Sequence, residues 1–258
     1  MSTLVDVESR DGIAMVFMNR PAALNALSAA LFDEMDAAIA AVAKSDARVF
    51  VLGGRGERAF CAGADIKEFK PAATTVEVRA GHYRRDVYAR IESLPIPTIA
   101  AVHGYTLGGG AELSLACDLR IAADDTIYGF PETGLGTFPG AGGTQRLPRV
   151  IGYSAALWLV ASGEKIDANE ALRLGLVNCV VPKAALQDKV LEVAGRIAAN
   201  APLGVRYAKE SMVRGREIPL VEAIRIEKDL NMFMDTTADY AEAAKAFVER
   251  RKPKFEGR

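Results

Sequence analysis

Residues 97–112, PTIAAVHGYTLGGGAE, constrain the fold more than any other stretch of this chain. The apolar run at 98–102, closed off by Pro97 and Gly104, has the length and composition of a buried strand. Gly104 and the triplet Gly108, Gly109 and Gly110 free the backbone, and from Ala111 onward the composition favours a helix. The stretch therefore predicts a strand, a tight turn and a helix N-terminus. Glycines without Cβ let other atoms approach the backbone, and the first helical turn leaves N–H groups without intrahelical partners. Such donors, backed by the helix dipole, suit a negatively charged oxygen. Taken alone, the turn is equally compatible with close strand-to-helix packing, with Glu112 complementing the dipole.

The same plan occurs a second time. Residues 49–52 form a short apolar strand, Gly53 and Gly54 open an irregular connection, and FCAGAD at 60–65 leads into another short helix. Two such elements on neighbouring strands would aim two sets of N–H groups at one point, which is the arrangement of an oxyanion hole. Between them, residues 75–94 predict a polar helix, preceded by a segment at 70–74 that carries no firm signal. At the N-terminus, residues 4–7 and 13–17 predict a strand pair turned at Asp11-Gly12. Ser28 is a good N-cap for an amphipathic helix with Leu31, Met35, Ile39 and Val42 on its apolar face.

A third glycine-dense run follows short strands at 119–122 and 126–128: YGFPETGLGTFPGAGGTQRL at 128–147. Pro131-Glu132 predicts a helix or loop start, and Gly140, Gly142 and Gly143 precede a helix beginning near Thr144. Neither GLG at 134–136 nor GAG at 140–142 completes a GxGxxG between strand and helix, and no phosphate-loop motif is present, so the dinucleotide-fingerprint and phosphate-loop readings are both rejected. Beyond Ile151 the pattern is mostly helical, with one small strand at 178–181. After Pro202 it is wholly so, over 203–214, 220–233 and 238–250. This divides the chain into a strand-containing core at 1–200 and a helical region at 201–258. The helical region carries Leu220, Ala223, Ile224, Leu230 and Phe233 with little core of its own, so it is expected to dock on the body or on another subunit.

Composition narrows the function further. A chain of 258 residues, half apolar and a quarter charged, is an ordinary globular protein, and its formal net charge of −1 offers no bulk attraction to nucleic acid or membrane. Without a secretory segment or a membrane-length apolar run, a cytoplasmic location or an organelle matrix is expected. Cys61, Cys117 and Cys179 are odd in number and widely spaced, which predicts reduced thiols rather than a disulfide framework. With only His82 and His103 available, a metal site or a Ser/His/Asp triad has little to draw on. His103 reads as structural and His82 as solvated.

On these residues the chain resembles the enoyl-CoA hydratase (crotonase) superfamily over essentially its full length. The resemblance rests on FCAGADIK at 60–67, GYTLGGGAE at 104–112, Pro131-Glu132 with PGAGGTQRL at 139–147, and FVERRKP at 247–253. It implies an α/β fold, a crotonase-type spiral of repeated β-β-α units with a C-terminal helical oligomerisation region, assembled as a trimer or a dimer of trimers. It also implies an acyl-CoA thioester substrate, with coenzyme A belonging to the substrate and no separate cofactor or metal. By the same resemblance the backbone N–H groups of Ala64 and Gly109 hold the thioester oxygen, and Glu112 and Glu132 act on the double bond and water. Ala62, Asp65, Ile66 and Lys67 would meet the coenzyme A, with Arg250 of another subunit near its phosphates.

The implied activity is hydration of a 2-enoyl-CoA to the 3-hydroxyacyl-CoA. Hydration of a branched or carboxylated enoyl-CoA, as by methylglutaconyl-CoA hydratase, and double-bond isomerisation are the alternatives within the family. Isomerising relatives typically dispense with one acid, so the presence of both glutamates favours hydration. RNA binding through the basic C-terminus is the alternative from another class, and the balanced net charge argues against it. Three residues depart from the family pattern. Phe130 stands where a smaller or polar residue is frequent, which predicts a narrowed pocket, and Cys61 and His103 are variants beside the core motifs. Residues 70–83, expected to cover the acyl end, match no readable pattern.

Overall fold

The computed structural model describes residues 3–68, 74–77 and 86–258. The strands β1 (Val5–Arg10) and β2 (Ile13–Met18) form the expected hairpin. Its turn residues Asp11 and Gly12 have φ of 51° and 76°, the pair of positive values that a two-residue turn matched to the strand twist requires. Then β3 (Val49–Gly54), β5 (Thr98–Val102), β7 (Leu119–Ala123) and β10 (Cys179–Val181) follow, all parallel to β2, in the order β1-β2-β3-β5-β7-β10.

A second, smaller sheet interleaves with the first in sequence. Its strands β4 (Ala59–Cys61), β6 (Tyr105–Leu107), β8 (Ile127–Gly129) and β9 (Lys165–Asp167) are ordered β4-β6-β8-β9, with only the last antiparallel. Each repeat thus lays one strand in the large sheet and the next in the small one. β3-β4, β5-β6 and β7-β8 make three turns of the spiral. All four small-sheet strands are three residues long, too short to carry periodicity in sequence.

The apolar runs are continuous because the large sheet is covered on both faces. Alternate residues separate cleanly. Val16, Phe50, Leu52, Ala100 and Ala122 point to the main core, while Met15, Val49, Val51, Ile99 and Ile121 point to a second core under Leu186, Val190 and Ala194. On the first face lies helix α1 (Ala29–Val42), with Leu31, Met35, Ile39 and Val42 buried and Ser28 Oγ accepting from Leu31 N at 3.2 Å. That main-core face also carries the glycine turns.

The polar helix predicted over 75–94 is corrected. Asp86, at φ −93° and ψ 76°, is not helical; its carboxylate accepts from Ala89 N at 2.9 Å and starts α2 (Val87–Glu92) afresh. Residues 75–77 are helical, and 78–85, with His82, lie outside the described residues, as do 69–73. Helices α3 (Gly109–Ala116), α4 (Gly143–Ile151), α5 (Tyr153–Ser162), α6 (Ala168–Arg173) and α7 (Leu186–Ala198) complete the strand-containing part.

From Pro202 the chain is helical: α8 (Pro202–Gly215), α9 (Leu220–Met232) and α10 (Ala238–Val248). Two basic residues tie this region down. Lys209 Nζ meets Asp118 at 2.8 Å and the Ile96 carbonyl at 2.9 Å, and Asp118 in turn accepts from Thr98 N at the start of β5. Arg48 donates to the carbonyls of Ala198 at 3.0 Å and Phe255 at 2.8 Å. The region still leaves Leu220, Val221, Met232, Phe233, Phe247 and Val248 exposed. No described helix is long and apolar enough to cross a membrane.

Candidate active site

Ala64 is presented by a loop that is built before it in sequence. Leu24 and Asn25 both have positive φ, 53° and 54°, an expensive conformation for side-chain-bearing residues that Asn tolerates best. Buried Asn25 stabilises it with its own amide: Oδ1 accepts from Arg20 N at 2.9 Å, and Nδ2 donates to the carbonyls of Arg55 at 3.0 Å and Ala59 at 2.9 Å. The bend delivers Leu27, whose N donates to Gly63 O at 2.8 Å and whose O accepts from Asp65 N at 3.0 Å. In this parallel bridge the residue between, Ala64, turns its own N–H the other way. Asn25→Ala is expected to lose about 2–4 kcal/mol, measurable by denaturant unfolding, because buried partners are left unpaired.

The glycine triplet has a separate cause at each position. Gly108 has φ 52° and ψ −125°, open to glycine only, and a Cβ there would sit 2.8 Å from Glu132 Oε1. On Gly109 a Cβ would lie 3.0 Å from Leu27 Cδ1, 3.1 Å from the Tyr88 hydroxyl and 3.9 Å from Ala64 N. On Gly110 it would collide with the Cys61 carbonyl oxygen. The two turns expected from sequence are therefore packed together. Gly63 faces the Gly109 amide, its Cβ position lying 3.5 Å from that nitrogen. Gly109 opens α3, where no intrahelical acceptor exists. Among the described residues neither the Ala64 N–H nor the Gly109 N–H has a protein acceptor.

Glu112, on the first turn of α3, is 3% exposed. Its Oε1 accepts from Ala141 N at 2.8 Å and Gly143 N at 2.7 Å, so the glycine loop at 139–143 exists to grip this carboxylate. Burial pushes its pKa up, opposed by the two amides and by the charge of Arg146. Glu132, in the short 3-10 turn Pro131–Leu135, is held differently. Its Oε2 is buried with no partner among the described residues. Burial raises its pKa too, its own backbone N–H opposes this, and the Glu112 charge raises it further. Two carboxyls of different character thus face one space beside two free amides.

The other residues expected at the site are placed around it. Ala62 is anchored by its N–H to Leu24 O at 3.0 Å. Asp65 pairs with Arg20 at 2.9 Å, which holds its carboxyl below the ordinary range, and also accepts from Lys67 N at 3.2 Å. Ile66, 68% exposed, and Lys67 lie on the rim beside Ala64. Arg250 stands exposed just after α10 at φ 52°, bonded through its N–H to Phe247 O, and among the described residues none of its contacts within the protomer reaches that rim.

His103 Nε2 lies 2.9 Å from Gly56 O and burial lowers its pKa, a structural role. Burial pushes the Cys61 thiol up to about 12, so it is no nucleophile. Phe130 is wholly buried in the main core and seats Pro131-Glu132 rather than standing as an open wall.

Sequence reasoning missed Tyr88, Arg20, Asn25 and Arg146. The phenol of Tyr88 donates weakly to Gly109 O at 3.4 Å, and burial with the charges of Glu112 and Glu132 raises its pKa well above the ordinary value. Nothing in a short polar helix marks that position. Arg20-Pro21 followed by Asn25 could have been found, as a polar set directly after the apolar strand β2.

Comparison with known proteins identifies the family and the fold. Residues 8–258 match the family model described as enoyl-CoA hydratase/isomerase. The chain is 41% identical to the short-chain-enoyl-CoA hydratase of Clostridium acetobutylicum, covering 96% of this chain and 95% of that one. It is 38% identical to the 2,3-dehydroadipyl-CoA hydratase of Escherichia coli, covering both chains completely. The crystal structure of an enoyl-CoA hydratase from Bacillus anthracis superposes with a TM-score of 0.94 at 41% identity, over 99% of this chain and 100% of that one. A spiral of paired strands that sets two free amides against buried Glu112 and half-buried Glu132, matched along nearly the whole sequence, places the chain in the enoyl-CoA hydratase/isomerase family.

Proposed function

We propose that the site adds water across the 2,3 double bond of a 2-enoyl-CoA thioester, giving the 3-hydroxyacyl-CoA. The observation that carries this reading is the buried, unpartnered Oε2 of Glu132 across from Glu112, beside the free amides of Ala64 and Gly109. Hydration places negative charge on the thioester oxygen, where two preorganised donors stabilise it by about 3–4 kcal/mol each. Water oxygen bonds to C3 and loses its proton to one carboxyl, while the other carboxyl gives its proton to C2. Glu112 suits the first role, since two amides and Arg146 favour its anion. Glu132 suits the second, since burial and the neighbouring anion favour its acid form. Ala62, Asp65, Ile66 and Lys67 form the coenzyme A rim, with Arg250 of a neighbouring subunit near the phosphates, and coenzyme A enters as part of the substrate.

The relatives named above act on a short-chain enoyl-CoA and on 2,3-dehydroadipyl-CoA, which supports an unbranched or terminally carboxylated acyl chain here. A panel of enoyl-CoAs differing in length and terminal charge tests this, with products identified by mass. Formation of 3-hydroxyacyl-CoA is expected. A shifted double bond without water uptake would show isomerisation instead.

Residues 201–258 are proposed to be the oligomerisation region, on the strength of the exposed apolar positions of α9 and α10. Sedimentation is expected to show a trimer or a dimer of trimers. An active, monodisperse monomer would overturn this.

A further inference from the structure

We propose that Arg146 is a positioning residue for the hydration reaction: through the loop at 139–143 it orients Glu112 and makes it, rather than Glu132, the carboxyl that takes the proton from water. The proposal rests on the hydratase reading of the same site. Its basis is a chain of contacts that runs outward from the glutamate. Ala141 N grips Glu112 Oε1 at 2.8 Å, and the carbonyl of that same Ala141 is gripped by Arg146 Nη1 at 3.0 Å. The other terminal nitrogen of Arg146, Nη2, meets Glu92 Oε2 on α2 at 2.7 Å, and Glu92 is further held by Arg216 at 3.4 Å. The guanidinium is therefore fixed at both ends. Gly142, between the two gripping residues, leaves the space it needs, since a Cβ there would overlap Arg146 Nη1.

Arg146 Nε is buried without a partner among the described residues. An unpaired buried donor is costly, so this placement is not optimised for the arginine's own hydrogen bonding. What it does achieve is a positive charge behind the carboxylate already held by two amides, in a place where the effect is asymmetric. Among the described residues no such cation acts on Glu132. Among the described residues, the groups that interact with Glu112 are Tyr88 on α2, Glu132 on its 3-10 turn and Arg146 on α4, with Glu92 on α2 bound to the far side of the guanidinium and Cys61 on β4 beside Tyr88. Burial keeps Tyr88 and Cys61 neutral. Among the described residues the charge balance at Glu112 thus sets Arg146 against Glu132, and Glu92 enters by pairing with the same guanidinium.

This gives the proposal a test by sign. Arg146→Gln removes the cation, whereas Glu92→Gln removes the anion that offsets it while its amide oxygen still accepts from the guanidinium. The full-length enzyme, labelled with 13C at the glutamate δ-carbons and with Glu112 assigned through Glu112→Gln, is titrated by NMR. The pH profile of kcat/KM with crotonyl-CoA is measured in parallel. In Arg146→Gln the Glu112 carboxyl is expected to titrate about one pH unit higher, with the acidic limb of the rate profile moving the same way. In Glu92→Gln both are expected to move lower. Shifts in the same direction in the two variants, or none, would overturn the proposal, since a merely structural arginine gives no opposite signs. If Arg146→Gln does not fold, the direction in Glu92→Gln decides alone. Carboxyl shifts of the expected signs with an unmoved rate profile would instead overturn the assignment of water activation to Glu112.

Discussion

Glu112→Gln and Glu132→Gln each lose about 100- to 10,000-fold in turnover on the preferred enoyl-CoA, with thioester affinity largely retained. Each amide keeps the shape of the carboxyl and removes one proton-transfer partner, while on the proposed reading the coenzyme A portion is gripped elsewhere. Because the two carboxyls act together on one water, the double variant loses far less than the product of the single losses. Single variants that hydrate at the wild-type rate would remove the mechanism. Stability supplies an independent check of the same site. Glu132 is raised above its ordinary range by burial, so the folded state favours its protonated form. Its stabilising contribution is complete at low pH and is lost as pH rises through the raised value. The melting temperature of Glu132→Gln is therefore expected to gain on that of the wild type as pH rises from the ordinary carboxylate range. A gap that is constant with pH would contradict the burial argument.

Gly109→Pro is expected to lower turnover by about 100- to 1,000-fold by deleting one of the two amide donors. Proline is tolerated at the first position of a helix, where Gly109 stands, because that N–H has no intrahelical acceptor. Added side-chain atoms would press on Leu27 and the Tyr88 hydroxyl, both ends of movable side chains. Gly109→Ala separates the two effects, since it adds the crowding and keeps the donor. A folded Gly109→Pro variant with wild-type turnover, or one no slower than Gly109→Ala, would show that this amide does not hold the thioester oxygen.

The parts of this molecule that could be read in advance are those whose cause is local. The strands at 49–52 and 98–102 announce themselves because both faces are covered, and α1 because Leu31, Met35, Ile39 and Val42 recur at helical spacing. The glycine triplet pointed to a close approach, but not to its partners, since those partners come from β4, α2 and the 3-10 turn of Glu132, all distant in sequence. Tyr88 was invisible for the same reason: a phenol in a charged helix gains its meaning only when α2 packs beside α3. β4, β6 and β9 were missed because three residues cannot show alternation; they are strands through pairing within the small sheet. Asp86 broke the expected helix because its side chain offers Ala89 an acceptor that helical continuation would deny.

The interleaving of the two sheets bears on how the chain acquires this structure. Apart from the β1-β2 hairpin, nearly every strand pair joins segments separated by a complete repeat, and Arg48 closes a loop of 207 residues with Phe255. Loop-closure entropy must be met before such contacts are rewarded, so folding belongs to the slow, high-contact-order class. Ala64 and Gly109 lie on successive turns of the spiral, and their donors meet only when those turns have stacked. No fragment of this chain lacking either turn can hold the pair, and catalytic competence is gained as a late, collective property of the spiral rather than of any one repeat.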